Sequence, residues 1–344
     1  MKILGLETSC DETAVAVVED GTKILSSVVA SSLKLHTETG GIIPEVAARQ
    51  QIKSILPVLK EALEKAKIKS IENEIDALAV TTGPGLIGSL LVGVETARVL
   101  SYFFKKPLIP VNHLVAHLYA NWLEKENSPS FPALALVVSG GHTDLVLMKD
   151  HGKITWIGGT RDDAAGEAFD KSARLLGLPY PGGPSIAKAA LDYKENKNNP
   201  PIKFPRPMIN EDNFDWSFSG LKTAVLREIN KLSEKEKNNK QIISQLAFEV
   251  QEAICEVLVE KTLRGVKIYQ PKSLLLGGGV SANSRLKEKF IEEIKNQKLK
   301  VDFYSPSSQF STDNAAAIAA CAFFNQKKVG WLKIEADPGL TILS

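Results

Sequence analysis

The chain sets out one order of elements twice, and this repetition limits its fold more than any other feature of its 344 residues. Apolar, β-branched-rich runs at Lys2 to Leu6, Ala14 to Val18 and Lys23 to Val29, with the turn Glu19-Asp20-Gly21-Thr22 between the last two, predict a three-stranded meander. The pattern returns at Ala133 to Val138, Thr143 to Met148 and Ile154 to Ile157, with turns at Gly140-Gly141 and Asp150-His151-Gly152-Lys153. After the first meander the sequence predicts a helix from Pro44 toward Lys67 with a break or kink at Pro57, and a strand at Ile75 to Val80. An apolar helix to about Phe104, a strand at Pro107 to Val111 and a helix capped by Asn112 and running through Leu123 complete the first segment. After the second meander come helices near Asp162 to Leu176, Pro184 to Tyr193, Leu221 to Lys231 and Gln241 to Leu263, a strand at Ser273 to Leu276 and a helix at Ala282 to Lys295. The polar Asn127-Ser128-Pro129-Ser130 reads as the linker. Lobes of residues 1–128 and 129–344 are therefore expected, with the C-terminal helix able to pack back on the first. A duplicated α/β lobe with a ligand cleft between the copies is the implied architecture.

Composition narrows the class. Basic residues number 42 and acidic residues 40, a net charge of +2, which gives no histone-like pull toward nucleic acid. A hydrophobic content of 44% supports a sizeable core and excludes a disordered or fibrous chain. Apolar runs such as Ala133 to Val138 and Ala315 to Phe324 are shorter than the ~20 residues of a membrane span. Three scattered cysteines, and an N-terminus that turns acidic at Glu7 before a signal core forms, lead us to expect a reduced, cytoplasmic protein without membrane contact or a disulfide framework.

His113 and His117 stand four apart on a predicted helix, which puts both imidazoles on one face with Cβ atoms roughly 5 to 6 Å apart. That spacing suits one metal ion, and equally a pair of core or surface histidines. Leu114 fills the position where a zinc protease carries its general-base Glu, so the pair argues against peptide hydrolysis. Two histidines leave an ion short of ligands, and Asp313, ahead of a small-residue helix, is either the third ligand or that helix's N-cap.

Three Gly-rich turns, Val138-Ser139-Gly140-Gly141-His142-Thr143, Pro181-Gly182-Gly183-Pro184 and Leu276-Gly277-Gly278-Gly279, lie where backbone N–H groups can approach an anion. They favour a nucleotide cleft, although neither a GxxxxGK[ST] loop nor a GxGxxG fingerprint is present. The turn Glu7-Thr8-Ser9-Cys10-Asp11-Glu12-Thr13 carries three carboxylates that could serve a metal, a ribose or a proton transfer, or simply form a polar hairpin. Cys10 lies among carboxylates that raise its pKa, which disfavours it as a nucleophile.

Taken in order, these motifs resemble the bacterial TsaD (YgjD, Gcp) family of tRNA N6-adenosine threonylcarbamoyltransferases. The resemblance also runs through Gly40 to Glu45, Thr82-Gly83-Pro84-Gly85-Leu86, Gly166-Glu167-Ala168-Phe169-Asp170-Lys171, Phe218-Ser219-Gly220-Leu221-Lys222-Thr223 and Thr312-Asp313-Asn314, so it spans nearly the whole chain. It implies the actin-like ATPase (ASKHA) fold with two RNase H-like lobes. It also implies transfer of threonylcarbamoyl from threonylcarbamoyl-AMP to N6 of adenosine 37, just 3′ of the anticodon, in tRNAs reading codons that begin with adenine. AMP is the other product. Carried over by position, the metal ligands fall on His113, His117 and Asp313, with Fe(2+) the usual ion and Zn(2+) compatible. Substrate-binding positions fall on Val137, Val138, Ser139, Gly140, Gly141, Asp170, Gly183 and Asn283; Asp11 and Glu12 remain catalytic candidates. Ala187 replaces an acidic residue frequent in the family, which leaves Asp170 and backbone groups to hold the nucleoside. The expected partners are tRNA, a TsaB-type paralogue on the first lobe and a TsaE-type ATPase. The stretch Lys188 to Arg206, with five basic and two acidic residues, and Lys222 are the local cations available to RNA or to solvent. The alternatives are a carbamoyltransferase of the same superfamily with another acceptor, a sugar-kinase-like or chaperone-like ATPase, and a nucleotide-binding scaffold.

Overall fold

The computed structural model describes residues 1–33, 35–36, 41–124, 126–193 and 202–344. Gly40 of the Gly40 to Glu45 motif, and residues 194–201 of the basic stretch, lie outside the described residues.

Strands β1 (Lys2–Glu7), β2 (Glu12–Glu19), β3 (Lys23–Ser31), β4 (Ala77–Gly83) and β5 (Leu108–Asn112) form a sheet in the order β3-β2-β1-β4-β5. A second sheet of β6 (Ala133–Val138), β7 (Thr143–Asp150), β8 (Lys153–Gly159), β9 (Ser273–Gly277) and β10 (Asp302–Tyr304) has the order β10-β9-β6-β7-β8. Reading β6 to β10 as β1 to β5 gives the same order, so the repetition in the sequence is a repetition of topology. Strand β10 had no sequence signal, because three partly exposed residues are too few to show an alternation.

The chain divides into two compact units, residues 1–130, 148–155 and 306–344 in the first and 131–147 and 156–305 in the second. The whole stretch from Pro306 to Ser344 thus lies in the first unit, whereas the sequence alone places it in the lobe of residues 129–344, with only the C-terminal helix able to pack back on the first.

In the first unit, β1 pairs antiparallel with β2 and parallel with β4, which pairs parallel with β5. Side chains alternate across β1. Leu4 and Leu6 join the core formed with Ile55, Val58 and Leu59 of helix Pro44–Lys65 and Val94 and Ala97 of helix Ile87–Phe104. Ile3, Gly5 and Glu7 face the opposite side, where helix Ala315–Phe324 lies against Gly5. All seven residues of β4 are buried, as expected for a strand covered on both faces.

Helix Pro44–Lys65 continues through Pro57 rather than breaking there. Pro57 is exposed, so the Lys53 carbonyl that loses its helical donor is on the solvent side, where water can satisfy it. Helix Ile87–Phe104 has the length and apolar composition to cross a membrane, but its Leu90, Val94 and Ala97 are buried in the first unit. In the second unit, Phe169, Trp216, Phe218 and Phe290 are fully buried in the core around helix Lys240–Tyr269. From that helix the buried Lys261 donates from Nζ to the carbonyls of Met208 and Asp215 and to Asn213 Oδ1, which pins the 208–215 loop.

Candidate metal centre and glycine turns

The register of the first sheet assembles a site at the carboxyl ends of its three parallel strands. Leu6 pairs with Val80, so Glu7 at the end of β1 comes beside Thr81 of β4, and Gly83 pairs with Asn112, where β5 gives way to helix His113–Tyr119. Asn112 caps that helix by accepting from the N–H groups of Leu114 and Val115, and donates from Nδ2 to the Thr341 carbonyl at 2.7 Å. The cap fixes the first turn, and four-residue spacing brings the His113 and His117 rings to a centroid distance of 4.5 Å.

Asp313 completes the group. The sequence left it either a ligand or a helix N-cap; the structure gives the cap to Asn314, whose Oδ1 accepts from Ala317 N and whose Nδ2 donates to the Phe310 and Thr312 carbonyls. Asp313 Oδ1 instead lies 3.5 Å from His113 Nε2 and 3.6 Å from His117 Nε2. One donor atom from each of the three residues falls within 4.8 Å of the others. Two imidazoles and a carboxylate are a borderline N/O donor set suited to iron or zinc.

Behind His113 stands Glu7, almost fully buried at the end of β1. Its Oε2 is 2.9 Å from His113 Nδ1 and accepts from Thr81 Oγ1 at 2.6 Å, while Oε1 accepts from the Ser9 N–H. Burial drives the Glu7 carboxyl upward, but the His113 charge and these hydrogen bonds outweigh it and hold the group at about 2. For His113, burial acts downward, and the Glu7 and Asp313 charges win, raising the imidazole to about 9. Asp313 is pushed up to about 6 by burial, with the Glu7 and Asp11 charges adding to the shift against His113.

The acidic turn is clamped from its own unit. Gln51 Nε2 donates to the carbonyls of Thr8, Cys10 and Glu12, Ser89 Oγ donates to the Cys10 carbonyl, and the Leu86 N–H donates to that of Ser9. Burial, with the Asp313 and Asp11 charges, raises the Cys10 thiol far above its ordinary range, so it stays protonated. Glu12 accepts from Ser31 Oγ, yet burial and the Asp11 and Asp313 charges lift its carboxyl to about 7. The signal for Glu7 was a carboxylate on a strand whose other residues are all apolar or Gly beyond Lys2. Gln51 and Ser89 carry no signal, because a polar residue on a helix does not reveal that it faces a turn.

In the second unit the glycine turns occupy the equivalent topological place. Val137 pairs with Gly277, so the turns after β6 and β9 are neighbours. Gly278 has φ +86°, and a Cβ there would stand 2.4 Å from the Val138 carbonyl oxygen. Gly140, Gly141, Gly183 and Gly279, by contrast, have open space where a Cβ would sit, which lets a ligand approach their backbone. Val137 and Val138 are fully buried, so only their main chain can serve a ligand. Ser139 Oγ accepts from the His142 N–H. Asp170 Oδ1 accepts from the Gly182 N–H at 2.7 Å and so anchors the start of helix Gly182–Leu191; burial raises its carboxyl. Asn283 caps helix Ser284–Asn296 through Leu286 N and donates to Gln251 Oε1, which commits its side chain to the scaffold. The structure thus groups the predicted residues into a metal-type cluster with Asp11 and Glu12 in the first unit and a set of glycine turns in the second.

Two mixed five-stranded sheets of one repeated order define an α/β protein of the actin-like ATPase class. Solved structures of that fold are similar to the chain: T. kodakarensis HypF (TM-score 0.61, 14% identity, 94% of this chain and 47% of that one) and component A of Acidaminococcus fermentans (R)-2-hydroxyglutaryl-CoA dehydratase (TM-score 0.51, 13% identity, 94% and 98%). At the sequence level, residues 23–320 match the family model described as TsaD, tRNA N6-adenosine threonylcarbamoyltransferase. Proteins of that name from Bacillus cereus and Dehalococcoides mccartyi are each 47% identical, covering 99% of this chain and 96% of the first protein, and all of both chains in the second. The chain belongs to the TsaD family.

Proposed function

We propose that the chain transfers the threonylcarbamoyl group of threonylcarbamoyl-AMP to the N6 amine of the adenosine 3′ of the anticodon in tRNA, with AMP as the second product. The observation that carries this reading is the convergence of His113 Nε2, His117 Nε2 and Asp313 Oδ1 in a chain 47% identical to enzymes of that name. These three residues would hold one divalent cation, iron or zinc. When bound, it supplies a Lewis acid that orients the threonyl end and polarises the carbamoyl carbonyl.

The chain's own groups do the rest. The open backbone at Gly140, Gly141 and Gly183 accommodates the nucleotide, and the Asp170 carboxyl holds the Gly182 turn in place for it. As N6 bonds to the carbamoyl carbon and the bond from that carbon to the phosphate oxygen breaks, the amine must lose a proton. Glu12, at about 7, is matched to accept it near neutral pH. Asp11 borders the same turn and keeps the local field acidic.

The apolar side chains Ile52, Leu56, Leu91 and Val99 are exposed on two helices of the first unit and suit a TsaB-type paralogue. A groove of about 450 Å³ lined by Lys203, Arg227 and Lys231, the last paired with Glu228 at 2.6 Å, offers cations to the tRNA backbone. Membership of the TsaD family is what supports a TsaE-type ATPase as a further partner and a cytoplasmic location.

The test is mass analysis of tRNA nucleosides after incubation with preformed threonylcarbamoyl-AMP and the partners, using wild type and His117→Ala. Wild type should modify tRNA with AMP formed in proportion, and the variant should lose both metal and transfer. Unmodified tRNA alongside carbamoylation of a different acceptor would shift the reading to the sister carbamoyltransferases.

A further inference from the structure

The geometry points to Glu7 as the positioning residue that makes His113 present Nε2, and not Nδ1, to the metal. This rests on the metal reading above. Glu7 closes β1, is 1% exposed, and receives three donors: the Ser9 N–H, the Thr81 hydroxyl and His113 Nδ1. An ionised carboxylate can only accept hydrogen bonds, so the ring nitrogen 2.9 Å from it must carry a proton. The neutral ring then keeps its lone pair on Nε2, the nitrogen that lies 3.5 Å from Asp313. A carboxylate bound to the far side of a ligating imidazole also makes that imidazole a stronger donor.

The arrangement is built, not incidental. Thr81 reaches Glu7 because β1 and β4 are in parallel register, and the Ser9 N–H occupies the other carboxylate oxygen, so Glu7 has no freedom to rotate away from the ring. Ser9 Oγ, 3.2 Å from His113 Nδ1, is a weaker second partner that partly holds the ring if the carboxylate is lost.

The test uses the full chain labelled with ¹⁵N and titrated with Zn(II) alone, read by long-range proton–nitrogen correlations of the histidine rings. In wild type, His113 should bind through Nε2 with Nδ1 protonated. Glu7→Gln retains an acceptor and should keep that tautomer with a modest loss of zinc affinity. Glu7→Ala should mix the tautomers and weaken zinc roughly 10- to 100-fold. Should Glu7→Ala not fold, the wild-type assignment still decides, supported by Thr81→Val, which frees Glu7 to rotate and should weaken zinc less than Glu7→Ala. Zinc bound through Nδ1 of His113, or unaltered affinity and tautomer in Glu7→Ala, overturns the inference and leaves the metal reading standing. No zinc uptake by wild type overturns both.

Discussion

A Cβ on Gly5 would stand 2.5 Å from the Ala315 carbonyl oxygen and 3.1 Å from Ala319 Cβ. Helix Ala315–Phe324 can therefore lie directly on β1 only because the strand has no side chain there and the helix meets it with Ala315 and Ala319. The contact bears on the His113, His117 and Asp313 cluster, since Asp313 enters it two residues ahead of Ala315 and Glu7 leaves β1 two residues after Gly5.

Gly5→Ala should force the helix off the strand. Overpacking of this kind costs roughly 1 to 3 kcal/mol, and the displacement should carry Asp313 away from His113 and His117. We expect a lower urea midpoint and a zinc affinity reduced more than in Gly41→Ala, where open space surrounds the new methyl. Equal zinc affinity in the two variants would show that the helix does not set the position of Asp313.

Metal uptake should release protons. In the metal-free protein His113 is protonated below about 9, and a cation at Nε2 must displace that proton. Affinity should therefore fall about tenfold for each pH unit of acidification between about 9 and about 6, and more steeply below about 6, where Asp313 also protonates. Competition titrations with a chelator of known pH dependence check this, and a flat profile across the range would contradict it.

Gln51 holds three carbonyls of the acidic turn with one amide nitrogen. Gln51→Leu keeps the volume but takes this donor from the Thr8 and Glu12 carbonyls and leaves the Cys10 carbonyl to Ser89 alone, a loss of about 1 to 3 kcal/mol. Denaturant unfolding should show it, and transfer activity should fall because Glu12 belongs to the same turn. Wild-type stability in Gln51→Leu would mean that Ser89 and Leu86 hold the turn by themselves.

Two glycines of the second unit should separate folding from binding. Gly278→Ala places a methyl against the Val138 carbonyl at a positive φ and should destabilise the protein. Gly141→Ala meets open space, so stability should hardly change while the affinity for threonylcarbamoyl-AMP drops. Calorimetric melting and equilibrium binding of the adenylate distinguish the two. A Gly141→Ala protein that binds normally would move the nucleotide elsewhere.

The repeated α/β plan, the histidine pair and the family are legible in the sequence, because strand alternation, turn residues and four-residue helical spacing are local properties written in consecutive residues. It also carried the Asn112 cap and the paired meanders with their boundaries to within a few residues. Its expectation of a break at Pro57 misjudged the context, since the cost of a missing N–H depends on which side of the helix faces water. Strand β10, the place of residues 306–344 in the first unit, and the finding that Asn314 rather than Asp313 caps its helix while Asp313 faces His113 and His117 depend on long-range packing. Each of these turns on which distant residues a segment meets. Glu7 looked like one of three similar carboxylates until strand register set it beneath Thr81 and against His113, where neighbours from three elements hold it charged at about 2, while Glu12, five residues along, is lifted to about 7. Burial and charge at a carboxylate come from the groups packed around it, and those come together only when the chain is folded.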